Sequence, residues 1–337
     1  MFVNFCRMLL LVVCVYGAVS TAQAPSNSQP AVSTQPANNS QPSEAAITQI
    51  RKSVVFIKLS CTEGGQLWDV KGTGFLVGYP EPRISDKSSF TYLVTNRHVA
   101  LCWNDSGHPM AVKSVSLLFN LNVEDGGTFV KEVVLNQNGS IPWVLPEDES
   151  VDLAVIPMGI NPQLLDIKLV PMRFFATKDV LEQNHIHEGE PIFFTGFFYQ
   201  FPGTKKISPI VRQGIIAMMP DEKIPFVGTH ERLYLADVHA FGGNSGAPAF
   251  INLGGFHNGG LMVGQEYRLI GVVNGEMTED ENFNLELTTT IKGKARANSG
   301  ISTIVPVDEL KTLLDGPSLG KLRDQAVMLY QNSQGQK

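Results

Sequence analysis

Between Ser53 and Val307 turn signals cut the chain into short runs rich in β-branched and aromatic residues. No other feature limits the fold as much. The runs include SVVFIKLSC (Ser53–Cys61), GTGFLVGY (Gly72–Tyr79), SFTYLVTN (Ser89–Asn96), KSVSLLFNL (Lys113–Leu121), TFVKEVVLN (Thr128–Asn136) and VDLAVIPM (Val151–Met158). Asp125–Gly126–Gly127 has the chemistry of a hairpin turn between the fourth and fifth of these. A second set follows Pro162: IKLVPM, EPIFFTGFF, SPIVRQGIIAMM, RLYLADV, GAPAFINL, LMVGQEYRLIGVVNGE and GISTIVPV. Short strands at this spacing predict an all-β sandwich or barrel architecture. The 31 glycines and 20 prolines agree, since they leave little room for long helices. Helical spacing is confined to VDELKTLL (Val307–Leu314) and SLGKLRDQAVMLYQ (Ser318–Gln331), and the hydrophilic stretch Glu276–Ser299 reads as a surface insertion.

The first residues set the compartment. Arg7 precedes an apolar run from Met8 to about Val19, and small residues (AVSTAQA) follow. This is the pattern of a secretory signal peptide, assigned to residues 1–24. The run is shorter than the roughly 20 residues a membrane span needs, so no stable span is expected after signal removal. Ala22 and Ala24 form an A-x-A site, and Pro25 after it leaves a cut one or two residues earlier open. Residues 25–45, rich in Gln, Ser, Pro and Asn, have neither charge nor apolar periodicity until their last few positions and read as a disordered linker. Export removes Cys6 and Cys14 and leaves Cys61 and Cys102 as an even pair in an oxidising compartment. A bridge between them would close a loop of about 40 residues, worth ~4 kcal/mol in the chain-entropy view. The other arrangement is two free buried thiols. The net charge of −6, without a basic run, argues against a nucleic-acid partner.

Chemistry concentrates in HAFGGNSGAPAF (His239–Phe250). A serine hydroxyl needs a general base, and its acyl-transfer intermediate needs hydrogen-bond donors. Ser245 sits in a Gly-rich turn whose backbone N–H groups can converge on one point. Upstream, TNRHVA places His98 just after one strand and VDLAVI places Asp152 at the start of another. Histidine is the commonest general base near neutral pH, and an acid on its far nitrogen fixes the tautomer.

Seven segments in order (GTGFLV, LVTNRHVA, DLAVIPM, EGEPIFFTGF, VRQGIIA, GGNSGAP and GISTIVPVDEL) resemble the trypsin-like, chymotrypsin-fold serine peptidases. Within that family they are most similar to the bacterial high-temperature-requirement proteases, over about Ile50–Leu314. The resemblance implies two packed six-stranded antiparallel β-barrels with a C-terminal helix. The peptidase domain would span residues 46–316 (barrels at about 46–160 and 161–306), with a tail at 317–337. It implies Ser245 as nucleophile, His98 as general base and acid, Asp152 as orienting acid, and the N–H groups of Gly243 and Ser245 as oxyanion hole. The implied partner is a polypeptide substrate, and no metal or other cofactor is expected. Asp148, Glu149 and Asp166 are the other acids in range of the Asp152 role.

The same resemblance suggests that Cys61 and Cys102 clip the histidine loop to the strand before it. It places His239 at the floor of the primary specificity pocket, with Val272, Val273 and Asn274 along its wall. His239 hydrogen-bonded within the core is the other reading. Asn244 stands where trypsin has the acid that binds a freed N-terminus, so activation of that kind is not expected. No residues remain after Lys337 for the peptide-binding domains of the high-temperature-requirement type, so its regulation is not carried over. HIHEGE (His185–Glu190) is read as a solvated loop rather than a zinc site. A secreted or periplasmic serine endopeptidase is the leading expectation, and a catalytically silent protease-like binding module is the alternative. An esterase lacks the G-x-S-x-G elbow and the alternation of strands with helices.

Overall fold

A computed structural model of the protein describes residues 42–103, 110–136, 141–226, 228–257, 260–262, 266–286 and 290–334. The signal segment, most of the expected linker and the last three residues lie outside the described residues. Helix α1 (Pro42–Arg51) begins inside the expected linker. Proline suits a first helical turn, and Ile47 and Ile50, three residues apart, pack onto the core and give the short helix a buried side.

The N-terminal strands are β1 (Val54–Glu63), β2 (Gln66–Pro80), β3 (Ser89–Thr95), β4 (Ala111–Asn120), β5 (Thr128–Glu132), β6 (Ala154–Pro157) and β7 (Val170–Pro171). They form a seven-stranded sheet in the order β5-β4-β1-β2-β3-β6, with β7 pairing β2 in parallel. Among the described residues this pairing runs from β5 to β6 without closing. A β1–β2 hairpin turns at Gly64 and Gly65, both at positive φ. The expected turn at Asp125–Gly126–Gly127 joins β4 to β5, with Gly126 and Gly127 at positive φ.

The second half contains β8 (Pro191–Gly196), β9 (Ile210–Met218), β10 (Ile224–Phe226), β11 (Thr229–Glu231), β12 (Tyr234–Asp237) and β13 (Pro248–Asn252). After β14 (Gly255–His257) and β15 (Gly260–Met262) come the long strands β16 (Tyr267–Glu286) and β17 (Thr290–Pro306). Strands β12-β17-β16-β13-β8-β9 close into a six-stranded antiparallel barrel. Of the two barrels expected, one is therefore a closed barrel and the other is seen as the seven-stranded sheet. The expected insertion at 276–299 is strand: β16 and β17 pair from Gly271↔Pro306 out to Glu286↔Thr290, and among the described residues the outer part pairs with no other strand. Ladder hydrogen bonds can satisfy such a backbone whatever the polarity of its side chains, so the hydrophilic composition gave no sign of the strands.

Two cores fill the halves, one around Ile57, Leu93 and Leu117, the other around Phe194, Ala249 and Ile304. A third joins them, bringing Phe75, Tyr92 and Val155 against Phe250, Leu269 and Leu310. Helices α4 (Val307–Asp315) and α5 (Pro317–Gln334) close this junction through Leu310, Leu314, Leu319 and Val327. (Helices α2 and α3 are Arg97–Leu101 and Lys178–Gln183.) On α5, Arg323 is only 6% exposed. Its guanidinium donates to the Tyr92 hydroxyl at 3.1 Å and the Leu314 carbonyl at 2.8 Å, and lies 3.9 Å over the Tyr79 ring. The tail thus docks on the N-terminal sheet. Arg323→Ala leaves two buried acceptors without their donor and should lower stability by about 2–4 kcal/mol. Urea denaturation checks this, and an unchanged midpoint would refute it.

Candidate active site

Register sets the first contact. Strands β3 and β6 run antiparallel with Thr95 opposite Ala154, so the chain leaving β3 meets the chain entering β6. Asn96 is extended (φ −80°, ψ 153°) and its side-chain N–H donates to the Asp152 carbonyl at 2.8 Å. Helix α2 starts at the next residue. The Asp152 carboxylate accepts the His98 backbone N–H at 2.9 Å with one oxygen and lies 2.6 Å from Nδ1 with the other. An ionised carboxylate only accepts, so Nδ1 carries the proton and the Nε2 lone pair is left available as a base. Burial lowers the His98 pKa, but the charge and hydrogen bond of Asp152, with the charge of Glu231, outweigh it and hold the imidazole above its ordinary value. Of the other acids considered, Asp148 binds Lys223 and Ser150, Asp166 binds Lys52, and Glu149 is exposed.

The disulfide Cys61–Cys102, with Cα atoms 6.4 Å apart, ties the end of α2 to β1. Cys102 caps the helix at φ 53°, and both cysteines are fully buried.

Ser245 lies in the turn between β12 and β13, and Thr73 from the GTGFLV segment holds that turn. The Thr73 hydroxyl donates to the Gly243 carbonyl at 2.6 Å, and its N–H donates to the Ser245 carbonyl at 2.9 Å. Thr95 in turn donates to the Thr73 carbonyl at 2.7 Å. Gly246, at φ +86°, packs so tightly here that a Cβ would fall 1.9 Å from the Thr73 carbonyl oxygen and 2.5 Å from the Thr95 hydroxyl. Ser245 is thereby carried to the strand end that leads into His98. Asn244 is 1% exposed and stitches the turn, accepting the Phe241 N–H at 2.9 Å and donating to the Phe197 carbonyl at 2.8 Å.

These bonds consume the N–H groups of Asn244 and Gly246, which donate to Phe241 and Val273. Those of Gly243 and Ser245 donate to no acceptor among the described residues. Two unpaired N–H groups flanking one hydroxyl have the chemistry of an anion-stabilising pair. The Ser245 hydroxyl makes no hydrogen bond to His98 among the described residues.

No protein-family model matches the chain. No curated protein is significantly similar to it.

The remaining predicted residues divide. His239 is exposed, stacked on Phe241 at 6.3 Å, with its ring 3.3 Å from where a Gly300 Cβ would stand. Val272 and Val273 are fully buried in separate cores, so their side chains do not face an open pocket. Asn274 is 4% exposed and donates to Glu231 at 3.1 Å. Glu276 lies two residues on, bonded to Asn298, and burial lifts its pKa while the His239 charge opposes the rise. Glu231, Glu276 and the role of Thr73 were not anticipated. Thr73 stood inside a recognised segment, whereas nothing local marks Glu231. In HIHEGE, His187 lies 2.8 Å from the Glu188 carbonyl, and among the described residues no group of three His, Cys, Asp or Glu is placed to hold a metal.

A histidine whose folded pKa is raised adds stability that is complete below its unfolded value of about 6.5 and disappears as pH climbs through the folded value. The stability advantage of the wild type over Asp152→Asn should therefore narrow as pH rises above about 6.5. Denaturation across that range checks it, and an advantage that widens with pH would contradict it.

Proposed function

We propose that the chain is a serine endopeptidase of the chymotrypsin fold, exported to a secreted or periplasmic location. In this reading the seven-stranded sheet is the counterpart of the closed barrel, and the site lies where the two meet. One observation carries it: Thr73 and Thr95 hold the Ser245 turn beside the His98–Asp152 pair with the N–H groups of Gly243 and Ser245 unpaired.

The chemistry follows from those positions. Ser245 Oγ attacks the peptide carbonyl carbon as His98 Nε2 takes its proton, and the carbonyl π pair moves to oxygen. The Gly243 and Ser245 N–H groups stabilise that oxyanion. The intermediate collapses with C–N cleavage, and His98 returns the proton to the leaving amine. Water, deprotonated by His98, then repeats the sequence on the acyl-enzyme and releases the acid and the Ser245 hydroxyl. Asp152 keeps its charge and steadies the imidazolium throughout.

The absent Ser245–His98 hydrogen bond favours a second reading, a silent protease-like binding module. Such bonds are often long before substrate binds, so the geometry is compatible with either. Casein hydrolysis by mature protein separates them. The peptidase reading predicts cleavage that falls by about 10⁴-fold or more in both Ser245→Ala and His98→Ala. Folded wild-type protein without Ser245-dependent cleavage would leave the binding module standing.

A further inference from the structure

The hairpin β10–β11 crosses beside the site, and its ends are fastened to different halves of the molecule. Lys223, just before β10, binds Asp148 at 2.8 Å and Ser150 at 2.8 Å in the loop that leads to Asp152. Glu231, at the end of β11, accepts from Asn274 on β16. Phe226 lies 3.6 Å from where a Gly275 Cβ would stand. Asn274 follows Val273, which exchanges backbone hydrogen bonds with Gly246 and Ala247, the two residues after Ser245. Glu231 is thus held next to the nucleophile turn on one side. On the other, its charge acts on both His98 and Asp152.

Among the described residues no lysine or arginine pairs with Glu231. Among the described residues its hydrogen bonds come from Thr229 at 2.9 Å and Asn274 at 3.1 Å, both neutral donors. The lysine and arginine nearest in sequence are engaged elsewhere, Lys223 with Asp148 and Arg232 with Glu309 at 3.4 Å. Asp152 adds a like charge, and His98, itself half-exposed and bonded to Asp152, offsets it. Burial first, then Asp152, push the Glu231 carboxyl above its ordinary value, against the Thr229 and Asn274 hydrogen bonds and the His98 charge. A half-buried carboxylate without a cation gains from a ligand that brings one. The chain's net charge of −6 favours the approach of such a ligand.

We propose that Glu231 is a specificity-determining residue that selects a lysine or arginine side chain in the substrate segment lying against His98. This rests on the peptidase reading for its site, but it concerns recognition and is tested by binding. The probe is a fluorescein-labelled randomised dodecapeptide pool made twice, once with lysine and once with norleucine in its place. Both pools are titrated by anisotropy against full-length Ser245→Ala protein, alone and combined with Glu231→Gln or Glu231→Lys.

Ser245→Ala should bind the lysine pool about tenfold more tightly than the norleucine pool. Glu231→Gln should bring that ratio close to one, and Glu231→Lys should invert it. Raised salt should shrink the ratio of the Ser245→Ala protein. A ratio unchanged by both substitutions, the absence of a lysine preference, or failure to bind either pool would overturn the proposal. Equal weakening of both pools by Glu231→Gln would overturn it too, since that marks Glu231 as structural support for Asn274. Lysine-selective binding without Ser245-dependent hydrolysis would refute the peptidase reading while leaving the role of Glu231 intact.

Discussion

Thr73 is the point on which the site depends. It is fully buried and makes four polar contacts: its hydroxyl to Gly243, its N–H to Ser245, its carbonyl from Thr95, and its hydroxyl from the Phe197 N–H at 3.0 Å. Gly243 and Ser245 belong to the barrel half, Thr73 and Thr95 to the sheet half. One threonine therefore pins the Ser245 turn across the junction and fixes which peptide groups remain unpaired. Loss of its hydroxyl would strand a buried acceptor and a buried donor, at about 1–3 kcal/mol each. The close approach that lets Thr73 reach the turn also requires Gly246, where no side chain fits.

Around that clamp the charges are arranged in sequence. Asp152 is held by backbone register and orients His98, leaving Nε2 as the free base. Glu231 adds a second negative charge that acts on His98, fixed by a hairpin anchored to both halves. Farther out, the shared core, with Arg323 bridging Tyr79, Tyr92 and the α4 terminus, keeps sheet and barrel in one relative position. The disulfide at Cys102 steadies the short helix that presents His98.

What could be read in the sequence was what local chemistry encodes. His98 and Asp152 sit at strand boundaries with turn chemistry beside them, and Ser245 sits in a turn that only glycine-rich sequence can make. Cys61 and Cys102 were an even pair, and they are bonded. Long-range register was not legible. The Glu231–Asn274 contact joins a hairpin to a distant strand, and closure of one barrel against an open sheet depends on pairing that no local pattern states. The strands of the β16–β17 ribbon were not legible in the expected insertion because their backbone partners lie on the other strand. Arg323 was missed because arginine on an amphipathic helix ordinarily faces water. Val272 and Val273 were assigned to a pocket wall by position, whereas their side chains point into cores.

The most direct test of the account is a crystal structure of mature protein treated with a serine-directed aryl phosphonate. The account predicts a covalent bond to Ser245 Oγ, with a phosphoryl oxygen about 2.7–3.1 Å from the N–H groups of both Gly243 and Ser245. A folded, reagent-exposed protein with Ser245 unmodified, or an adduct whose oxygen points away from those two groups, would contradict it.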